Sequence, residues 1–332
     1  MANYPQLDNA SGVWNLRDVY DAVTGGYWPN ANNRAIVAGG FTPSYTSVIS
    51  DFNMASSGTT TSFGSLDIAR GEFGAMSNFT RCVFAGGNET PGGTNSNTLD
   101  YVQFATKGNT ANFGTIGADS QRTQGVGGNA TRGVFTEGTS DTNQIQYITI
   151  NSLGNAVDFG DRTLSGTYAA GVTSPTRTCF GGAFTPSTSN VIDFIEIATT
   201  GNAVDFGDLS NSIRDAGGCS SSTKGVFMAG ITPSYLNVLD LITIASQGNA
   251  TDYGDLTSAA RGNTGVSNSV AGFSCGGETS PAVVETINKF VIATGGTATD
   301  FGDLIEPTKN SASNSAAHGG LNDGYQGTRP IP

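Results

Sequence analysis

The densest chemistry in this sequence is a carboxylate-aromatic-glycine-carboxylate motif that occurs four times: Asp158-Phe159-Gly160-Asp161, Asp205-Phe206-Gly207-Asp208, Asp252-Tyr253-Gly254-Asp255 and Asp300-Phe301-Gly302-Asp303. Paired carboxylates with a glycine between them are material for a Ca²⁺ loop, because hard cations take oxygen ligands from short glycine-containing turns. Each loop supplies only two carboxylates, however, and the equivalent earlier positions are Ser62, Ser65, Asn112 and Thr115. The motif is therefore expected to be a strand-end turn whose ring packs between neighbouring units and whose Asp caps the turn or meets a cation. No metal and no cofactor is assigned. A kinase reading fails, since four copies occur without a phosphate-binding or catalytic loop.

Cations recur as well. Arg70, Arg122, Arg214, Arg261 and Lys309 stand at corresponding points, most of them six or seven residues after a carboxylate-containing turn. Two readings are open, a ring that binds an anionic ligand or local pairing between neighbouring strands. With 15 Lys plus Arg against 27 Asp plus Glu, and with isolated buried cations costly, pairing is favoured. The single histidine, His318, lies in a Gly-rich stretch near the end, so His-rich metal sites and a Ser-His-Asp arrangement are not expected. Cys82, Cys179, Cys219 and Cys275 have no CxxC spacing and sit in apolar or glycine-rich runs; they read as small core residues. No acidic pair stands apart from the repeat as a glycosidase pair would, and the chain is not expected to be an enzyme.

The elements that position these groups are repeated units. Phe63-Gly64, Phe113-Gly114, Phe159-Gly160, Phe206-Gly207, Tyr253-Gly254 and Phe301-Gly302 are spaced by 50, 46, 47, 47 and 48 residues. Propeller blades and helical repeats both have periods in this range. Runs such as Val191 to Ile197 and Val238 to Ile244 alternate and are β-branched, bounded by Gly, Asn, Ser and Pro, which selects strands. In the fifth unit the strands are expected at Arg214 to Ser220, Lys224 to Gly230, Asn237 to Ala245 and Thr251 to Leu256. Second strands begin at Arg34, Arg81, Arg132, Arg177, Lys224 and Ala271, whereas first strands begin near Arg70, Arg122, Thr167, Arg214, Arg261 and Lys309. The chain thus starts on a second strand and ends on a first. Six blades require Lys309 to Ala317 to pair with Arg34 to Gly40, closing the ring and removing its open edges. The fold class is all-β, a six-bladed propeller of four-stranded antiparallel blades over residues 31–320.

With Arg-x-x-x-Gly in the first strand, apolar runs ending in Gly39-Gly40, Gly86-Gly87, Gly181-Gly182 and Gly276-Gly277, and an aromatic in the fourth strand, the sequence resembles kelch-type β-propellers. It departs from them in having Phe or Tyr in place of Trp, and in Glu137-Gly138 and Ala229-Gly230. The connectors from second to third strand share one face with the blade-to-blade crossings. Their Phe41, Tyr45, Asn88, Phe184, Tyr235 and Glu278 form a candidate ligand face, as loops on rigid scaffolds commonly do. A plainer reading is that Thr-Pro-Ser supplies rigid turns.

Residues 1–30 fall outside the repeat. Val13, Leu16, Val19 and Tyr20 are spaced for about two helical turns, stopped by Gly25-Gly26, and Trp14, Tyr27 and Trp28 complete an aromatic-rich piece too small for its own core. Such a segment is expected to dock, preferably on another chain, making the protein oligomeric in assembly. It is similar to N-terminal attachment pieces on virion-surface proteins of tailed bacteriophages, marine and cyanobacterial phages among them. That likeness implies a virion structural or adhesive part, a tail fibre, appendage or head decoration, with other virion proteins as partners at residues 1–30 and a host-surface glycan or protein at the loop face. Rival readings are a carbohydrate-binding or carbohydrate-active propeller and an intracellular kelch-type scaffold. The net charge of −12 disfavours nucleic acid, and no apolar run approaches the roughly 20 residues of a membrane span. Without an export signal, the protein is expected to be made in a host cytoplasm and to reach the outside by lysis. Residues 321–332 are expected to form a tail.

Overall fold

The computed structural model describes residues 33–317, apart from residues 57, 90–93, 121–122, 124, 139–141 and 269. The expected anchor with Val13, Trp14, Leu16, Val19, Tyr20, Tyr27 and Trp28, as well as Arg122, His318 and the tail, lies outside the described residues.

Among those described, regular structure is β-strand. Six four-stranded antiparallel blades follow one another round a ring. Their innermost strands, Ala312–Ser315, Gly74–Ser77, Val126–Gly128, Ala170–Thr173, Gly217–Ser220 and Thr264–Ser267, touch in succession all the way round. The second strands are Arg34–Ala38, Arg81–Ala85, Arg132–Thr136, Arg177–Phe184, Lys224–Met228 and Ala271–Cys275, each paired to the innermost one. Both ends of the described chain build the first blade, with Ala35 opposite Ser315 and Ala38 opposite Ala312. The expected closure is present.

In detail the strands differ from the sequence reading. The innermost strand of the fifth blade starts at Gly217, three residues after Arg214, because Asp215 takes a positive φ of 57° and interrupts the ladder. Its third strand begins early, at Ser234, and its fourth continues to Ala260.

The core lies between blades. One cluster joins Ile36, Ile49, Phe63 and Leu66 of the first blade to Phe73, Phe84, Val102 and Phe104 of the second. The rings of the aromatic-glycine pairs occupy such interfaces, with Phe63, Phe113, Phe159, Phe206 and Phe301 all buried. Burying a ring of this size is worth about 1.5–3 kcal/mol.

The glycine of each pair has a separate task. A Cβ on Gly114 would stand 2.2 Å from the carbonyl oxygen of Gly154 in the next blade, and one on Gly207 would stand 2.5 Å from that of Gly248. Two backbone bonds form beside each close approach, for example Gly154 N to Phe113 O at 3.0 Å and Ala156 N to Thr115 O at 2.8 Å. Asn155 adds a third, accepting from Thr115 N at 3.1 Å. Equivalent pairs of bonds recur at all six junctions.

Cations at the start of the second strands reach the same neighbour on the face opposite the long connectors. Arg81 donates to Ile150 O at 2.8 Å and lies 4.4 Å from the Tyr101 ring; Arg132 donates to Ile197 O at 2.9 Å and lies 4.8 Å from the Tyr147 ring. Arg34, Arg177 and Lys224 likewise donate to Phe104 O, Ala245 O and Ala293 O. Only the sixth blade lacks such a cation, since Ala271 stands there; Phe52, Phe273 and Phe301 cluster at that junction instead, with Lys289 5.2 Å from the Phe301 ring.

A third staple uses a polar residue midway along the third strand. Asp193 Oδ2 accepts from Thr163 N and Oγ1, Asp240 Oδ2 from Ser210 N and Oγ, and Asn288 Oδ1 from Thr257 Oγ1. In every case the donor belongs to the preceding blade.

Candidate functional site

The long-loop face is built outward from the two inner strands of each blade. Their register continues past the end of the ladder as isolated bridges, Phe41 with Lys309, Gly71 with Asn88, Thr167 with Phe184, Arg214 with Ile231 and Arg261 with Glu278. Between ladder and bridge the chain kinks at Gly-Gly. Gly39 and Gly40 have φ of 58° and 107°, and a Cβ on Gly40 would meet Thr308 Oγ1 at 2.1 Å, so only glycine fits.

Two residues before the innermost strand, one residue in each of five blades answers this kink with a positive φ: Glu72, Tyr168, Asp215, Gly262 and Asn310. Their backbones are linked round the channel mouth. Asp215 N donates to Tyr168 O, Gly262 N to Asp215 O, Asn310 N to Gly262 O and Glu72 N to Asn310 O, at 2.7–3.3 Å. Sequence reasoning missed this rim. Its signal was Asp215, Gly262 and Asn310 immediately after the repeated cations, residue types that tolerate a left-handed backbone; Glu72, two residues after Arg70, and Tyr168, a bulky residue for which φ of 62° is costly, are the exceptions.

Beyond the bridges, four of the described connectors are small hairpins with a proline at the tip, the fourth pairing Glu278 with Val283 about Pro281. Phe41 pairs with Tyr45 about Pro43, Phe184 with Thr188 about Pro186, and Ile231 with Tyr235 about Pro233. Thr-Pro-Ser forms the first three of these turns, and the four hairpins carry Phe41, Tyr45, Phe184, Tyr235 and Glu278. Phe41 and Tyr45 meet edge to face at 5.4 Å. Tyr45 crosses to the second blade, where a Cβ on Gly71 would lie 2.7 Å from its ring. Tyr235 lies under Arg261 at 5.4 Å, and Phe184 under Arg214 at 4.2 Å. Glu278 accepts from Lys309 Nζ at 2.5 Å and Arg261 Nη2 at 2.9 Å, with Asp215 at 3.8 Å from the same guanidinium. Burial opposes ionisation of Glu278, but the hydrogen bond and charge of Lys309, then Arg261, outweigh it and hold its carboxyl below the ordinary range. Asn88 is on this face but buried; its Nδ2 donates to Glu72 Oε2 at 2.7 Å.

The repeated cations therefore meet carboxylates in three described cases. Arg70 is fully buried, with Nη2 2.9 Å from Asp100 Oδ2. Burial pushes the Arg70 guanidinium down and the Asp100 carboxyl up, and each partner's charge resists the other's neutralisation. Arg261 and Lys309 share Glu278. Arg214 has aromatic rings alone, Phe184 and Tyr168 at 4.2 and 5.8 Å.

The Asp-aromatic-Gly-Asp turns lie on the outer strands. Asp158, Asp252 and Asp300 each accept the backbone N–H two residues on, the expected cap. Among the described residues no group of three or more His, Cys, Asp or Glu side chains converges on one point. The four cysteines are free and buried.

Along the axis, Ser77, Thr173, Ser220, Ser267 and Ser315 form a belt of hydroxyls. Ser267 Oγ donates to Ser220 O, Ser315 Oγ to Ser267 O and Ser77 Oγ to Ser315 O, all within 2.7–2.9 Å. Two cavities on the channel, of about 60 and 40 Å³, have room for a few waters and are too small for a sugar ring or a peptide. No protein-family model matches this chain, and a comparison with curated proteins finds no match either.

Proposed function

We propose that this protein is a non-catalytic display scaffold, a kelch-like propeller serving as a structural or adhesive part of a tailed-phage virion. Residues 1–30 anchor it to other virion proteins, and the long-loop face meets a host-surface glycan or protein, or a neighbouring subunit. Particles carrying it leave the host at lysis. The observation that supports this reading best is how the face spends its ionisable groups. Glu278, Arg261 and Lys309 bind one another, and Glu72 is taken by Asn88; none converges on a cavity as acid and base groups of a hydrolase do. The rigid staples between blades, together with turns locked by proline, suit a surface that binds without rearranging.

A glycan is the favoured class of partner because the connectors expose Ser187 and Ser234 beside aromatic Phe184 and Tyr235, a mixture of hydroxyls and rings that fits sugars. The anchoring half is tested by Trp14→Ala with Trp28→Ala. The double variant is expected to keep the propeller's melting transition and to be missing from particles, whereas normal incorporation would sink the anchoring claim.

A further inference from the structure

From the position of Arg214, we infer that the junction of the fourth and fifth blades is a subsite for the carboxylate of an acidic sugar, which rests on the glycan reading above and narrows it.

Arg214, Arg261 and Lys309 occupy one position in successive blades, opposite Ile231, Glu278 and Phe41 respectively. Where the opposite residue is Glu278, its carboxylate pairs with both Arg261 and Lys309. Where it is Ile231, no such group exists. Every other described arginine puts an N–H on an oxygen or meets a carboxylate: Arg34, Arg81 and Arg132 reach carbonyls, and Arg70, Arg162, Arg177 and Arg261 reach Asp or Glu. Among the described residues Arg214 alone has no acceptor.

Its guanidinium is nevertheless held in place. The Phe184 ring lies 4.2 Å from Cζ and the Tyr168 ring 5.8 Å away. Stacking orients the planar group and leaves its N–H edge for a ligand, the arrangement by which arginine recognises carboxylates in a fork. Tyr168 reaches this place at the positive φ that the rim position also takes at Glu72, Asp215, Gly262 and Asn310, so the fold itself sets the ring beside Arg214. The side chain is half-buried, so a bound anion would be partly shielded from water.

The ligand class follows from charge and surroundings. One unpaired guanidinium on a chain of net charge −12 suits a single carboxylate and disfavours a polyanion, which the rest of the surface repels. Flanking it are two Thr-Pro-Ser hairpins, Thr185 to Ser187 and Thr232 to Ser234, whose tips are exposed. Short hydroxyls on both sides of a stacked arginine match a ring that carries one carboxylate and several hydroxyls.

The test uses the full chain against oligosaccharides bearing galacturonate, glucuronate or N-acetylneuraminate, each beside its carboxyl-reduced counterpart, with poly-L-glutamate as the peptide source of the same group. At least one acidic sugar is expected to bind about tenfold or more tighter than its reduced form, the effect of one charge-assisted fork. Arg214→Gln should remove that preference and Arg214→Lys should weaken it. Ile231→Glu supplies the internal carboxylate that Glu278 provides one blade on, so it should abolish the preference with the arginine intact. All three variants are checked by their melting transitions, and Ile231→Glu keeps the test decisive if Arg214→Gln misfolds. The inference is overturned if no acidic sugar is preferred, if the preference survives in folded variants, or if poly-L-glutamate binds better than any sugar. Equal binding of acidic and neutral sugars by all forms would overturn it while leaving the glycan-binding face standing.

Discussion

Asp240 lies one blade round from Asp193 at the same point of the third strand, and both carboxylates accept an N–H and a hydroxyl from the preceding blade. Only Asp193 has a cation, Arg162 at 3.1 Å. The difference traces to a single residue: Arg162 and Leu209 each come three residues after the blade's aromatic. Burial pushes the Asp240 carboxyl up, against the two bonds from Ser210, and its Oδ1 has no hydrogen-bond partner. A carboxyl raised on folding contributes stability below its ordinary value near 4, and that contribution is lost as pH rises through the raised value. Asp240→Asn, the amide found at Asn288, is therefore expected to stabilise the protein at pH 7–8 by about 1 kcal/mol and to do little at pH 3. Glu278 has the opposite sign, its stabilisation being present above about pH 4 and lost in acid. Thermal melts of wild type, Asp240→Asn and Glu278→Gln across pH 3–8 check both.

The Arg162 and Asp193 pair gives a second prediction. Arg162→Leu leaves Asp193 buried without its cation and is expected to cost about 3–5 kcal/mol. Adding Asp193→Asn recreates the combination of Leu256 with Asn288 that the next-but-one junction uses, so the double variant should recover most of the loss. Denaturant midpoints of the single and double variants read this coupling, and additive losses would contradict it.

How much of this was legible beforehand differs between chain path and side-chain contacts. The aromatic-glycine spacing, the alternating runs and the offset between first and second strands carry blade number and closure, because each is a repeated local pattern. The kink at Asp215 and the rim of positive-φ residues were not legible. Asp215, Gly262 and Asn310 after the repeated cations permit a left-handed backbone, but the linkage of their backbones into a rim arises from register between two strands and from close approach of blades. The same holds for Arg214. Its lack of an acid depends on Ile231, a residue 17 positions away that faces it only in the folded blade.

Glycine in the aromatic-glycine pair is required by a neighbour's backbone, not only by its own conformation. Gly114→Ala places a methyl against Gly154 O, which cannot withdraw without breaking the Gly154 N to Phe113 O bond. A loss of about 1–3 kcal/mol is expected. A melting temperature equal to wild type would mean that the junction has slack which the backbone bonds do not show.

Closure makes the last described strand indispensable. Truncation before Lys309 strips Ala312–Ser315 from Arg34–Ala38 and exposes the edge of the latter. The truncated protein is expected to aggregate or to lose its cooperative melt, measurable by light scattering and calorimetry.

All four thiols are buried, and burial pushes Cys179 and Cys219 up to about 12 and Cys82 and Cys275 up further. A thiol-reactive chromophore at pH 8 should therefore label none of them in the native protein and all four in denaturant. Fast labelling of a native thiol would locate a junction that opens.

The proposed display role is tested most directly by quantitative mass spectrometry of density-purified virus particles from the culture in which the gene occurs, with copy number taken relative to the major capsid protein. Recovery at a fixed stoichiometry is the expected result, and the copy number would separate a head decoration from a tail appendage. Absence from particles, with the protein present in the cells, would contradict the virion role and leave the propeller as a scaffold for partners inside the cell.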